Sequence, residues 1–182
     1  VRLARVGGHL GAWPVSGIAL TDPQTRQFNF HIRHARGELL FAKGWLLGEG
    51  ESEVTLLPEI ARILGFNLER AGVRCVPYRQ SDIGLYLTVA DGLGISWVTL
   101  TDNDQQGQST IQKVRAALNG RSEKRMLHVM PEDDLEQHLC VNGFGDVYEN
   151  LLTAQTRQQV TVANTDPAYW KQVTKAVSKH KI

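Results

Sequence analysis

The chain has 182 residues, with Lys+Arg 20 against Asp+Glu 19; that length supports one well-buried core with a small satellite or two small domains, and the balanced charge excludes a global field drawing the protein to nucleic acid or membrane, so a polyanion must be held by local basic patches. Cys75 and Cys140 each lie inside an apolar stretch, which argues against a disulfide framework and a C-x₂-C metal site and for a reducing compartment. No apolar run approaches the roughly 18 residues of a membrane span and Val1 to Arg5 make no signal peptide, so a cytoplasmic protein is expected, and a start at Val1 without methionine suggests a piece of something longer.

From Val1 to about Arg36 the sequence is Gly-rich and irregular, with Gly7-Gly8, Trp13-Pro14 and Asp22-Pro23 as turn signals between short β-like runs such as Phe28-Asn29-Phe30. Residues 1–36 are therefore expected to be a leading segment or linker packing on a sheet. Gly44 to Gly48 predicts a strand, and Ser52 to Leu64 a helix, since Val54, Leu57, Ile60, Ala61 and Leu64 recur at the spacing of one helix face. Gly65 is its stop signal, and Pro58 inside it suggests a kink or a late start. Val73 to Tyr78 predicts a second strand, Asp82 to Ala90 a helix, and Ile95 to Leu100 a third strand with the continuous apolar character of a buried parallel strand. A helix is expected from about Gln108 to Leu118, then a fourth strand over Met126 to Met130. Alternating strands and helices imply an α/β domain with a parallel sheet and right-handed crossovers, over residues 37–130. Beyond a boundary near residue 131 the pattern turns helical, with helices over Asp133 to Leu139, Phe144 to Ala154 and Asp166 to Lys181, so residues 131–182 form a small helical domain.

Acidic residues concentrate where two strands end. Gly48-Glu49-Gly50-Glu51-Ser52-Glu53 follows the first strand of the α/β region, and Thr101-Asp102-Asn103-Asp104 follows the third. In a parallel α/β sheet such ends lie at the ligand-binding edge, and gathered carboxylates are unfavourable unless a hard cation such as Mg²⁺ or Mn²⁺ neutralises them. Glu49 and Glu53 are one helical turn apart, and Asp102 and Asp104 leave extended backbone on the same side. The alternative for each pair is structural. Acids at a helix start complement the macrodipole, and Asp and Asn favour capping turns.

Jointly, the Glu49 turn and the Asp102-Asn103-Asp104 triplet resemble the Toprim module of topoisomerases, primases and related nucleases. The four-residue step from Glu49 to Glu53, Leu40-Phe41-Ala42 ahead of the strand, Asp134-Leu135-Glu136 and Gly143-Phe144-Gly145-Asp146-Val147-Tyr148 narrow the resemblance to the C-terminal nuclease region of the OLD (overcoming lysogenization defect) family, over roughly Phe41 to Leu151. Gly48 departs from the family's usual Val, and Asn103 from its more frequent Gly. The resemblance implies a Toprim-like (Rossmann-like) parallel sheet flanked by helices, and a DNA endonuclease using two Mg²⁺ or Mn²⁺ ions. Its metal ligands would be Glu49, Glu53, Asp102, Asp104 and Glu136, with Glu132 and Asp134 as competitors for the last place.

The resemblance further assigns a lysine near the end of the region; Lys179 is the best match, with Lys181 competing, and would join Glu49, Asp102 and Asp104 in catalysis by neutralising charge on the pentacovalent phosphate. ATP would act only through an N-terminal ATPase domain of the same polypeptide, since no Walker A pattern occurs here. DNA is the implied substrate, and a helicase partner and a homodimer are the further partners allowed. Arg33, Arg36, Lys113, Arg115, Arg121 and Lys124 are candidates for the duplex backbone. Two competing functions are a receiver-like Mg²⁺-binding signalling domain, which leaves Glu49 with Glu53 unexplained, and a non-catalytic DNA-binding or dimerisation fragment whose acids only cap helices.

Overall fold

The computed structural model describes residues 1–34 and 36–178. In chain order the strands are β1 (Arg2–Val6), β2 (His9–Trp13), β3 (Gly44–Gly48), β4 (Val73–Pro77), β5 (Ser96–Thr101) and β6 (Leu127–Val129). The α-helices are α1 (Asp22–Gln27), α2 (Glu51–Ile63), α3 (Leu68–Ala71), α4 (Ile83–Gly92), α5 (Gln105–Ala116), α6 (Glu123–Met126), α7 (Leu135–Leu139), α8 (Gly145–Asn150), α9 (Ala154–Arg157) and α10 (Tyr169–Ser178). Two compact units result. The first comprises Val1–Thr101 with Gln105–Val129, and the second Asp102–Asp104 with the chain from Met130 on.

A four-stranded parallel sheet in the order β4-β3-β5-β6 organises the first unit. The chain steps from β3 to β4 on one side and returns to place β5 on the other, so β3 and β5 flank the point where the winding reverses. Ligands of open α/β sheets bind outside the carboxyl ends of strands at such a point. Trp45 and Leu47 of β3 and Trp97 and Thr99 of β5 are fully buried on one face of the sheet, while Leu46, Val98 and Leu100 on the other face are half-buried. Ile83, Leu85, Leu87, Val89 and Leu93 join the same core from α4 and its end.

The leading segment is more regular than its sequence suggests. β1 and β2 form an antiparallel hairpin turning at Gly7 and Gly8, both at positive φ. The Asp22-Pro23 turn signal is a helix start: Thr21 caps α1 in a capping box with Gln24, and proline sits in the first turn where its missing N–H is harmless. The turns continue as a wider helix through Phe28–His34, so the run Phe28-Asn29-Phe30 is helical rather than extended. Phe28 and Ile32 bury one face of it in the core.

Most predicted elements lie within a few residues of their expected bounds. α2 runs through Pro58 and ends in a Schellman arrangement, with Phe66 N–H donating to the Ala61 carbonyl and Gly65 in the left-handed region. α5 begins at Gln105, three residues early. The expected Phe144 to Ala154 helix is two helices, because Thr153 caps a fresh start at α9. In the second unit Leu152, Val173 and Ala176 make a separate small core, with Tyr148, Tyr169 and Trp170 packed against it.

One ion pair braces the amino end of β5. Arg121 donates from both terminal nitrogens to Asp91, at 2.6 and 2.7 Å, and lies over the Trp97 ring at 4.6 Å. The Trp97 indole N–H donates to the same carboxylate at 2.8 Å. Burial pushes Asp91 up, but the hydrogen bonds from Arg121 and Trp97 outweigh it and hold the carboxyl below its usual value. A carboxyl depressed on folding contributes stability that is complete above its unfolded pKa, about 4, and is lost as pH falls through the lower folded value. In thermal unfolding, the advantage of the parent over Asp91→Asn is therefore expected to be full at pH 6 and to shrink below about pH 4; a constant gap would contradict the assignment.

Candidate active site

The turn after β3 is built around missing side chains. β3 ends at Gly48, and the ladder to β4 continues one step further, with Tyr78 and Arg79 donating to the carbonyls of Gly48 and Glu49 at 3.0 and 2.9 Å. Glu49 is 4% exposed and Glu53, on the first turn of α2, is 5% exposed. These are carboxylates inside a protein, where acids are seldom found unless paired or bound to a metal. One oxygen of Glu53 accepts the Gly50 N–H at 2.9 Å, which makes Glu53 the third-position member of a capping arrangement. The structural alternative weighed for Glu53 thus holds for one oxygen, while its burial is more than a cap on an exposed helix requires.

Gly48 explains how Glu53 reaches that place. A Cβ on residue 48 would stand 2.6 Å from the Glu53 Cβ and 3.3 Å from its Cγ, too close for either to remain. Gly48→Ala is therefore expected to displace the start of α2 and to cost about 1–3 kcal/mol in urea unfolding, as overpacking does. A variant as stable as the parent would mean that the turn has slack.

The other predicted ligands lie on the second unit. Asp102, directly after β5, is half-buried, and Asp104 is exposed. Between them the Asn103 N–H donates to the Asp133 carbonyl at 3.0 Å, tying the loop to the acidic run before α7. In that run Glu132 meets His138 Nδ1 at 2.5 Å, Asp133 forms an ion pair with Lys171, and Asp134 caps α7 by accepting from Gln137 N–H at 2.7 Å. Glu136 lies half-buried in the first turn of α7. Its charge is felt nearby: burial first, then Asp134, Glu136 and Glu149, push the Cys140 thiol up to about 11, and burial followed by Glu136 pushes the Tyr148 hydroxyl up to about 12.

Lys179 and its competitor Lys181 lie outside the described residues. Sequence reasoning passed over another lysine, Lys171 of α10. Its hydrogen bond and ion pair with Asp133 raise its pKa, and Asp134 and Asp104 add to that pull, so it carries its charge into the field of the Asp102-Asn103-Asp104 loop.

Several of the proposed DNA-contacting cations already have partners. Arg36 pairs with Glu51 at 3.6 Å, Lys113 with Asp82 at 2.6 Å, Arg115 with Glu123 at 2.9 Å and Arg121 with Asp91. Arg33 and Lys124 are exposed. Among the described residues no group of three or more His, Cys, Asp or Glu side chains is gathered as a metal cage. As all-oxygen donors, these acids suit a hard divalent cation rather than zinc.

Three comparisons bear on this arrangement. Residues 40–104 match the family described as "Overcoming lysogenization defect protein-like, TOPRIM domain". The chain is 33% identical over 152 residues to "Uncharacterized protein YbjD" of Escherichia coli (strain K12), an alignment covering 82% of the chain and 28% of that relative. The chain thus spans little more than a quarter of the relative's length. Its fold is similar to the C-terminal region of the Xanthomonas campestris pv. campestris OLD protein, with TM-score 0.62 and 22% identity over 79% of this chain and 80% of that one. It is also similar to the C-terminal region of the Burkholderia pseudomallei OLD protein, with TM-score 0.59 and 22% identity over 76% and 82%.

Proposed function

From a chain whose residues 40–104 are a Toprim domain of the overcoming lysogenization defect protein-like family, we infer a metal-dependent DNA endonuclease, the catalytic C-terminal region of a larger ATPase-nuclease. The observation that carries this reading is Glu49, a buried carboxylate at the carboxyl end of β3, one of the two strands that flank the reversal of winding. Asp102 follows the other, β5, by one residue.

Glu49, Glu53, Asp102 and Asp104, with Glu136, are the residues that would hold Mg²⁺ or Mn²⁺. When bound, two such ions supply an activated water and charge neutralisation at the departing 3′ oxygen. Glu49 serves as ligand rather than base, because a cation beside it favours the ionised carboxylate. A protonated lysine of the helical unit, Lys179 or Lys171, would neutralise charge on the phosphate. DNA, an N-terminal ATPase domain, a helicase and a second copy of the chain are the partners this reading includes, in the cytoplasm.

Supercoiled circular DNA incubated with the chain and Mn²⁺ is expected to be nicked or linearised, and excess chelator is expected to stop it. Glu53→Gln keeps an amide oxygen for the Gly50 N–H, so it is expected to retain the parent's unfolding midpoint while weakening Mn²⁺ binding in calorimetry. Cleavage undiminished by chelator, or no divalent binding by the parent, would leave the acids as caps only.

A further inference from the structure

The Thr101 hydroxyl lies in the core at the end of β5. The residue is 1% exposed, and its Oγ1 has no hydrogen-bond partner. A buried hydroxyl left so is a net cost to stability, and a valine would fill the same space without that cost. Thr99, two residues earlier on the same face, is 0% exposed and also carries an unpartnered Oγ1. The register pairs Leu47 of β3 with Thr99 of β5. Glu49 directly follows β3, and continuing that register by two residues would bring it level with Thr101 at the sheet's carboxyl edge, on the same face. Thr99 is flanked by the apolar Leu47 and Leu127, whereas the continued register sets a carboxylate beside Thr101.

We propose that Thr101 is a positioning residue, whose buried hydroxyl donates to the Glu49 carboxylate when a divalent cation is bound and so fixes which oxygen faces the cation. Metal-binding carboxylates are regularly held by such outer hydrogen bonds. This inference rests on the reading of Glu49 as a metal ligand and adds the residue that orients it. A carboxylate partner gained on cation binding would offset the cost that the buried, unpartnered hydroxyl otherwise carries.

The test compares the parent, Thr101→Val, Thr101→Ser, Thr99→Val and Glu49→Ala in Mn²⁺ calorimetry and in urea unfolding with chelator. Thr101→Val is expected to bind Mn²⁺ about 10-fold more weakly while unfolding at the same or higher urea. Thr101→Ser is expected to restore the affinity, and Thr99→Val to leave it at the parent's value. If Thr101→Val binds Mn²⁺ as the parent does while Glu49→Ala does not, this assignment falls and the metal site stands. A parent that binds no Mn²⁺ overturns both. If Thr101→Val unfolds at markedly lower urea or does not fold, the hydroxyl is structural and the proposal is wrong; equal weakening by Thr99→Val would show a general packing effect and overturn it as well.

Discussion

Glu49→Ala and Asp102→Ala are each expected to lower Mn²⁺-dependent cleavage of circular DNA by at least about 10²–10³-fold, the scale on which removing one group that stabilises transition-state charge is felt. Both residues follow strands at the reversal of the sheet, and both belong to the stretch matched by the Toprim family. Their loss should differ from that of a cap. Replacing a capping acid by alanine costs about 1 kcal/mol of stability and leaves the rate of the folded fraction intact. Urea unfolding of each variant beside the cleavage assay therefore separates the two roles. If both variants cut as well as the parent, the site has been placed wrongly.

Arg2→Met is expected to destabilise the chain by about 3–5 kcal/mol, the largest stability effect anticipated for a residue away from the site. Arg2 is 4% exposed and donates to main-chain oxygens of Leu40, Ala42 and Leu93 at 3.1, 2.7 and 2.8 Å, with Gly94 at 3.5 Å. Its guanidinium also stacks on Trp13, 5.3 Å from the ring centroid. Methionine fills much of the volume and satisfies none of the carbonyls, and each buried acceptor left bare costs roughly 1–3 kcal/mol. Urea unfolding measures this. A loss below about 1 kcal/mol would mean that the hairpin detaches cheaply and lets water reach those carbonyls.

Glu49, Asp102 and Arg2 mark the limits of what local sequence discloses. β3 and β5 are legible because central parallel strands must be apolar on both faces, and Trp45 to Leu47 and Ile95 to Leu100 are. The acids after them are legible because strand ends are where an α/β sheet binds ligands. The hairpin of β1 and β2 was missed because what holds it is Arg2, whose partners lie 38 to 92 residues away. Phe28-Asn29-Phe30 has β-forming residues, yet the cap at Thr21 and burial of Phe28 and Ile32 override that local preference. Glu53 was ambiguous for a different reason: its carboxylate does serve a cap, and only its burial raises the second role. Lys171 went unnoticed because its acidic neighbours are distant in sequence.

Gly48 has a consequence for sequence change over time. Its hydrogen stands where the Glu53 stem needs room, so residues 48 and 53 are not independent positions. A relative with a branched residue in place of Gly48 must hold the first turn of its helix farther from the strand, and grafting that residue alone into this chain would import the bulk without the compensating backbone. Substitutions at the two positions should accordingly travel together through descent.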